Sequence, residues 1–186
     1  ATLLPLAFHV DYWNDLGWVD PYSQAAFSER QRRHSRRRGA RFVVTPQLLL
    51  NGQPYQRPLF GEDIATKADL INRAPARAVI RIEQTRSAGN IAARIDVLAL
   101  DNQARTSDVF LALYENNLAT NVNAGENRGA RLKHDFVVRQ LSTPLGMRED
   151  GHLVHDYRIR VPDTWKADAL HLAVFIQDPA SGEVMQ

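Results

Sequence analysis

The second half of the chain is a series of short segments in which apolar and polar residues alternate. Ala78, Ile80 and Ile82 alternate with Val79, Arg81 and Glu83, and the same period of two returns from Ile91 to Val97. Four further segments have the composition of strands: Val109–Tyr114, Phe136–Leu141, Leu153–Val161 and Leu170–Gln177. Many short strands at even spacing are typical of an antiparallel sandwich. We therefore predict a β-sandwich domain over residues 76–186.

The residues before Pro75 have a different pattern, with helical segments between short apolar runs. Thr2–Val10 is apolar without alternation, which favours a strand buried on both faces, as in parallel sheets. Asp20 and Pro21 form a helix start, and we predict a helix over Tyr22–Arg38. A second helix is predicted over Glu62–Arg73, where Pro75 ends it.

A strand and a hairpin are predicted between these two helices. The strand has two halves, Arg41–Val44 and Gln47–Leu50, which Thr45-Pro46 separates. Asn51-Gly52 is a strong signal for a two-residue hairpin, so a paired strand is expected near Gln53–Arg57. A generic Thr-Pro bond is a weak signal for cis, but thioredoxin-like folds have a cis proline at this place, between two strand halves and ahead of a hairpin, so we predict a cis peptide bond there.

The resulting order β-α-β-β-α matches a thioredoxin-like α/β domain, residues 1–75, whose first β-α unit is absent. In that fold the absent strand would lie between Thr2–Val10 and Arg41–Leu50. Backbone groups left unpaired and buried cost roughly 1–3 kcal/mol each, so this sheet needs its middle strand. We therefore expect residues before Ala1 in the native protein. Direct pairing of Thr2–Val10 with Arg41–Leu50 would contradict this expectation.

Composition excludes several kinds of site within these residues. No apolar run approaches the ~20 residues of a membrane helix, so we expect no membrane span. Cysteine is absent, so the chain holds no disulfide, thiolate metal site or cysteine nucleophile. His152 and His155 have an odd separation in a strand and face opposite sides, so we predict no metal site and no cofactor.

Ordered sequence blocks resemble the DUF1223 type of bacterial proteins, a family of unknown function with a thioredoxin-like fold. The matching blocks run in order along nearly the whole chain: His9-Val10-Asp11-Tyr12-Trp13, Leu16-Gly17-Trp18, Phe27-Ser28-Glu29-Arg30-Gln31, Val44-Thr45-Pro46-Gln47, Gly125-Glu126-Asn127-Arg128-Gly129 and Val137-Val138-Arg139-Gln140-Leu141. Members of that family resemble exported proteins and usually carry Cys-x-x-Cys upstream of the first block, which these residues lack. The resemblance implies a periplasmic or secreted protein.

Two functions follow from this resemblance as expectations. The first is a thiol-disulfide oxidoreductase whose cysteines lie upstream of Ala1 and whose partner is a protein or peptide thiol or disulfide. The second is a non-enzymatic binding or structural protein of the periplasm that reuses the thioredoxin groove. Oligomeric state and substrate stay open.

The candidate substrate-binding residues are Thr45, Pro46, His9, Asp11, Tyr12 and Trp13. The backbone beside Pro46 would pair with an extended substrate as an added strand. The block from His9 follows a strand end, where ligands bind in open α/β sheets, and could tune a thiolate or line a groove. Alternatively, the aromatic residues fill the core and Asp11 caps a turn.

An arginine-rich stretch is the remaining candidate for a function. Its members could bind phosphate or nucleic acid: Arg30, Arg32, Arg33, Arg36, Arg37, Arg38 and Arg41. These arginines surround the helix instead of forming one stripe, and no aromatic residues are interleaved for base stacking. We therefore expect a solvated helix face and no nucleic acid partner. The Gly125–Gly129 stretch is predicted to be a turn, with a contact to the first domain or a partner as the alternative.

Overall fold

The computed structural model describes residues 3–55, 63–87 and 89–186, and its helices lie mostly in the first part of the chain. The helices are α1 (Ala25–Arg37), α2 (Ile64–Asn72) and the short α3 (Asn102–Arg105). Single 3₁₀ turns occupy Asn14–Leu16 and Ala167–Ala169. No helix within the described residues has the length and apolar character needed to cross a bilayer.

The strands form antiparallel sheets. In chain order they are β1 (Leu49–Leu50), β2 (Gln53–Pro54), β3 (Ala78–Ser87), β4 (Asn90–Ala99), β5 (Asp108–Glu115), β6 (Leu118–Asn121), β7 (Arg131–His134), β8 (Val137–Leu141), β9 (Leu145–Gly146), β10 (His152–Arg160) and β11 (Leu170–Gln177). One sheet has the order β10-β4-β3 and another the order β11-β5-β8, with β9 also paired to β5. The hairpins β1-β2 and β6-β7 stand as separate pairs.

The two larger sheets share one hydrophobic core. Ile95 and Val97 of β4 pack in one cluster with Val109 and Leu111 of β5 and with Ile176 of β11. Because side chains alternate along a strand, these odd-numbered residues of β5 point to the β10-β4-β3 sheet. This face of β5 is therefore closed by the second sheet.

The opposite face of β5 is closed by α1. Phe27 of α1 lies in a cluster with Ala112 and Tyr114 of β5, Val138 of β8 and Ala173 of β11. Every residue of β5 after Asp108 is buried. This burial on both faces explains why Val109–Tyr114 is a continuous apolar run instead of an alternating one.

The side chain of Arg30 connects α1 to the sheet and lies among three phenylalanine rings. Its guanidinium carbon lies 5.0 Å from the ring centre of Phe110, 5.5 Å from that of Phe8 and 5.8 Å from that of Phe175. Its Nη2 donates to Oε1 of Gln177 at 2.6 Å. Burial, followed by the like charges of neighbouring arginines, lowers the pKa of Arg30 to about 10, so the group stays charged at neutral pH. Arg30 is therefore a packing residue, whereas the sequence predicted a solvated arginine.

The β1-β2 hairpin is held against the C-terminal turn. Gly52 has φ of 73°, and a Cβ at this position would lie 2.0 Å from the Gly182 carbonyl oxygen, so only glycine fits. The Val184 N–H donates to the Asn51 carbonyl at 2.9 Å. Arg38, after the last turn of α1, donates to the Gly52 carbonyl at 3.0 Å. The Asn51-Gly52 hairpin is confirmed, and it is fixed by contacts distant in sequence.

Most predicted elements of the second half are confirmed. The strand Leu170–Gln177 has the predicted bounds, β3, β4 and β10 lie where alternation predicted strands, and β5 and β8 lie where their composition did. The helix predicted over Tyr22–Arg38 is α1, shorter at its start because Asp20 caps a separate turn through the N–H groups of Tyr22 and Ser23. The hairpin β6-β7 was not predicted.

The predictions for the first half need corrections. Arg41–Val44 is not a strand, and of Gln47–Leu50 only Leu49–Leu50 is. The Leu3–Val10 run is not buried on both faces, since Leu4 is 54% exposed, and its one pairing is a parallel bridge from Ala7 to Val137. Thr2, Gln56, Arg57 and Glu62, the ends of other predicted elements, lie outside the described residues.

Replacing Arg30 with alanine is expected to lower the free energy of unfolding by about 2 kcal/mol, because the change removes three aromatic contacts and a charged hydrogen bond. Urea unfolding followed by circular dichroism measures this loss. Arg33→Ala, on the exposed side of the same helix, is the control and should change the stability by less than about 0.5 kcal/mol. Equal losses in the two variants would contradict the packing role of Arg30.

Candidate functional site

A large open cavity lies against the Leu3–Val10 segment. Its volume is about 1640 Å³, and its lining includes all residues of Leu3–Val10 and all of Thr45–Gly52. Within the described ranges, no backbone hydrogen bond joins these two segments. The two segments therefore border one cavity without pairing directly, and we call this cavity the groove.

The backbone of the Leu3–Val10 segment presents one edge to the sheet and one to the groove. The Ala7 N–H donates to the Phe136 carbonyl at 2.8 Å, and the Val138 N–H donates to the Ala7 carbonyl at 2.9 Å. In an extended chain successive residues point their backbone groups to opposite sides. The backbone groups of Leu6 and Phe8 therefore point away from β8, and no backbone partner for them occurs among the described residues.

Tyr12 and Thr45, two of the predicted site residues, are brought into contact. The Tyr12 hydroxyl donates to Oε1 of Gln31 at 2.8 Å, and it also shares a short hydrogen bond with the Thr45 hydroxyl. Nε2 of Gln31 donates to the Val44 carbonyl at 2.9 Å. The Thr45-Pro46 peptide bond is cis, as predicted. Gln31 of α1 thus binds both the loop that carries Pro46 and the His9–Trp13 segment, which we call the aromatic block.

Asp11 is bound to α1. Its backbone N–H donates to Oγ of Ser28 at 3.0 Å, and the Ser28 hydroxyl donates back to the Asp11 carboxylate at 2.5 Å. Ser28 is fully buried. Asp11 also accepts a backbone bond from Asn14 in the following turn. These contacts agree with the alternative in which Asp11 has a structural capping role.

His9 belongs to a half-buried cluster of polar and aromatic residues. Its Nδ1 lies 2.6 Å from the Asp20 carboxylate, and its ring meets those of Tyr22 and His134 edge to face. Burial acts to raise the pKa of Asp20, but hydrogen bonds from His9 and from the Tyr22 N–H hold that pKa below 3.8. Burial and then the nearby His9 lower the pKa of His134. The cluster therefore favours an ionised Asp20 beside a neutral His134.

Trp13 is the most accessible of the predicted aromatic residues. Its side chain is 51% exposed, lines the groove and lies 5.3 Å from the Tyr12 ring, centre to centre. His9, Thr45 and Pro46 line the same groove, whereas Asp11 and Tyr12 are not among its lining residues.

Sequence reasoning missed several residues that build this site: Asp20, Ser28, Gln31 and His134. Ser28 and Gln31 are three apart, so both lie on one face of α1, toward the aromatic block. Their signal was present in the block Phe27–Gln31, but the surrounding arginines obscured it. His134 lies in β7, a strand that was not predicted.

The predicted Gly125–Gly129 turn is confirmed, and it also contacts the Leu16–Trp18 loop. The Arg128 N–H donates to the Gly125 carbonyl at 3.2 Å. A Cβ on Gly125 would lie 3.1 Å from the Leu16 carbonyl oxygen, and one on Gly17 would lie 3.5 Å from Gly125. The turn therefore packs on the Leu16–Trp18 loop. The Gly125–Gly129 stretch is thus both a turn and a contact with the first part of the chain. No three His, Cys, Asp or Glu side chains converge as metal ligands in the part of the chain that the structure describes.

Comparisons with known proteins place the chain in a family. The model of the family described as "Protein of unknown function (DUF1223)" matches residues 1–177. The chain belongs to this DUF1223 family, as the sequence blocks indicated. No curated protein matches the chain.

Two solved structures have a similar fold. Protein AGR_C_4864 from Agrobacterium tumefaciens is 24% identical with a TM-score of 0.64, and the match covers 96% of this chain and 74% of that one. HBP35 of Porphyromonas gingivalis is 13% identical with a TM-score of 0.62, over 87% of this chain and 56% of that one. The chain thus spans little more than half of HBP35, and both likenesses concern the fold.

Replacing Tyr12 with phenylalanine should loosen the loop that carries Pro46, because both hydrogen bonds of the hydroxyl are lost. We expect faster tryptic cleavage after Arg41 and a decrease of about 1 kcal/mol in the free energy of unfolding. Tyr157→Phe, which loses a comparable 2.9 Å bond to Gln140, is the control and should leave cleavage after Arg41 unchanged. Unchanged cleavage in Tyr12→Phe would show that the loop does not depend on this hydroxyl.

Proposed function

We propose that this protein is an exported thioredoxin-like thiol-disulfide oxidoreductase, periplasmic or secreted. Residues 1–75 would form most of its thioredoxin-like domain and residues 76–186 a β-sandwich. The redox cysteines would lie in a β-α unit that precedes Ala1 in the natural protein and fills the groove.

The observation that carries this proposal is the unpaired edge along the groove. Backbone groups of Leu6 and Phe8 face the groove without a backbone partner among the described residues. Exposed apolar side chains of Leu4 and Leu48 lie along the same cavity. A strand inserted there would pair with these backbone groups and cover the apolar side chains. It would thereby remove the free-energy cost of unpaired backbone groups and that of apolar surface exposed to water.

The mechanism would be thiol-disulfide exchange at the end of the groove near Thr45. The first cysteine thiolate would attack one sulfur of a substrate disulfide, and the other substrate sulfur would leave as a thiolate. The second cysteine would then attack the mixed disulfide, which releases the reduced dithiol substrate and leaves a disulfide in the protein. Thr45 would hold the substrate backbone, while His9 and Trp13 would border the reacting sulfur atoms.

The second candidate is a non-enzymatic protein that binds a peptide in the same groove. The exposed Trp13 and the exposed Leu16 beside it favour this function, because apolar surface at a groove rim is typical of a binding site. The two candidates share the groove and differ in whether thiols take part.

The test begins with the natural protein, reduced and then treated with a thiol-alkylating reagent. The proposal predicts two alkylated thiols by intact mass and, in a second sample without the alkylating reagent but with a dithiol reductant that regenerates the protein thiols, turnover of a disulfide substrate such as insulin. Trp13→Ala should lower kcat/KM for insulin roughly tenfold, mainly through KM, since the side chain contacts the bound chain. Leu100→Ala, which removes a 53% exposed apolar side chain outside the groove, is the matched control and should have no effect.

The other outcomes separate the two candidates. A protein without thiols that binds an unfolded peptide, and loses that binding in Trp13→Ala, would overturn the oxidoreductase and support the binding protein. A protein with neither thiols nor Trp13-dependent binding would overturn both.

A further inference from the structure

Strand β3 forms a long, open edge of the β10-β4-β3 sheet. It has ten residues, and its one strand partner in the described structure is β4. All residues of β3 from Arg81 to Ser87 are exposed, including the apolar Ile82 at 39%. A long exposed edge is a template for pairing with another strand, and proteins usually protect such edges.

Two other sheet edges are covered locally by the chain itself. The edge of β8 is covered at Val137 by Ala7, and the edge of β11 by the bridge from Gln177 to Val184. Strand β10 has mainly partly buried residues, in contrast to β3. Of the two edge strands of the β10-β4-β3 sheet, β3 is therefore the more exposed.

The backbone pattern determines which residues of β3 offer hydrogen bonds outward. The Leu100 N–H donates to the Arg77 carbonyl, so Arg77 and the other odd-numbered positions point their backbone groups to β4. The even-numbered positions, Ile80, Ile82 and Gln84 among them, then point their N–H and C=O groups to the open side. A partner strand must bond to these even-numbered residues.

The charges of β3 complement each other under an antiparallel pairing of two copies. With Ile82 opposite Ile82 of the second copy, Ile80 lies opposite Gln84, and all these pairs are hydrogen-bonded. Arg81 then lies opposite Glu83 in the non-hydrogen-bonded pairs, where side chains approach most closely. Because the axis relating the copies is two-fold, this attraction occurs on both sides of the axis.

Neighbouring registers are less favourable. A shift that pairs Ile80 with Ile82 places Arg81 opposite Arg81, and a shift that pairs Ile82 with Gln84 places Glu83 opposite Glu83. Like charges directly opposite are destabilising. Registers that pair even-numbered with odd-numbered residues fail, because the odd-numbered backbone groups are already bound to β4.

We propose that two copies of this chain associate through β3, antiparallel and centred on Ile82, to form one continuous six-stranded sheet from two β10-β4-β3 sheets. The occupant of the edge is a second copy because the strand is complementary to itself in charge and in backbone pattern. This inference does not depend on the function proposed for the groove.

A charge exchange tests the register. In sedimentation equilibrium the protein should be a dimer, and Arg81→Glu should raise its dissociation constant roughly tenfold or more, since attraction becomes repulsion in both symmetric pairs. The double variant Arg81→Glu/Glu83→Arg should recover dimerisation, with circular dichroism to verify that it stays folded, because the exchanged side chains lie opposite Asp96 and Arg94 of β4. Arg158→Glu, a charge reversal on β10, is the control and should leave the dissociation constant unchanged.

A second pair of variants tests the edge directly. Ile82→Pro removes an N–H that faces outward and leaves the bonds to β4 intact, so the variant should fold with unchanged circular dichroism and be a monomer. Ile82→Cys should form an intermolecular disulfide identified by peptide mapping, because the two Cα atoms would lie about 5.5 Å apart. Val79→Cys, which lies opposite Thr85 of the second copy, should not crosslink to itself.

A protein that is monomeric at all concentrations would overturn the proposal. So would a dimer that persists in Ile82→Pro, or one whose dissociation constant Arg81→Glu does not change. A dimer weakened by Arg81→Glu but not recovered by the double variant would overturn the proposed register.

Discussion

The closure of the β11-β5-β8 sheet on both faces is the constraint on which the other features depend. Odd-numbered residues of β5, such as Leu111 and Leu113, pack on the second sheet, and even-numbered ones such as Ala112 and Tyr114 pack on α1. Burying one large apolar side chain contributes about 1.5–3 kcal/mol to the free energy of folding. A sheet with two apolar faces is therefore most stable as the central layer, with other elements packed on both sides. Helix α1 is consequently part of the core of the second half of the chain.

The position of α1 in turn fixes the candidate site. Ser28 holds Asp11, and Gln31 holds Tyr12 together with the Val44 carbonyl. The aromatic block and the loop before Pro46 are therefore both attached to a helix that rests on the sheet. Arg30 between its phenylalanine rings strengthens the same attachment from the other face of the helix. A change in the packing of α1 would be transmitted to the groove through these few hydrogen bonds.

Local sequence patterns predicted the elements whose cause is local. Alternation located β3, β4 and β10, and Asn51-Gly52 located the first hairpin, because period and turn chemistry act within a few residues. The Gly125–Gly129 turn also followed from its immediate context, whereas the cis bond at Pro46 was expected from the resemblance to a fold and not from the local pattern. The contact between Tyr12 and Thr45 agrees with the expectation that the block and the loop border one site.

The features that sequence reasoning missed arise from contacts between distant parts of the chain. No residue near Ala7 in the sequence indicates that it pairs with Val137. The neighbours of Arg30 in the sequence are mostly charged, so the sequence does not show that its neighbours in the structure are aromatic. The β6-β7 hairpin escaped prediction because Arg131–His134 has one apolar residue in four, too few to show alternation. Arg41–Val44 has strand-like composition, yet it has no strand partner among the described residues and does not form a strand.

The proposed function depends on a further strand that would occupy the groove beside Leu3–Val10. Amide hydrogen exchange by NMR, compared between the natural protein and the chain of residues 1–186, tests this most directly. The account predicts that the Leu6 and Phe8 amides, which face the groove, exchange far more slowly in the natural protein. The Ala7 amide, already bound to Phe136, should be protected in both. Equally fast exchange of Leu6 and Phe8 in both proteins would contradict the claim.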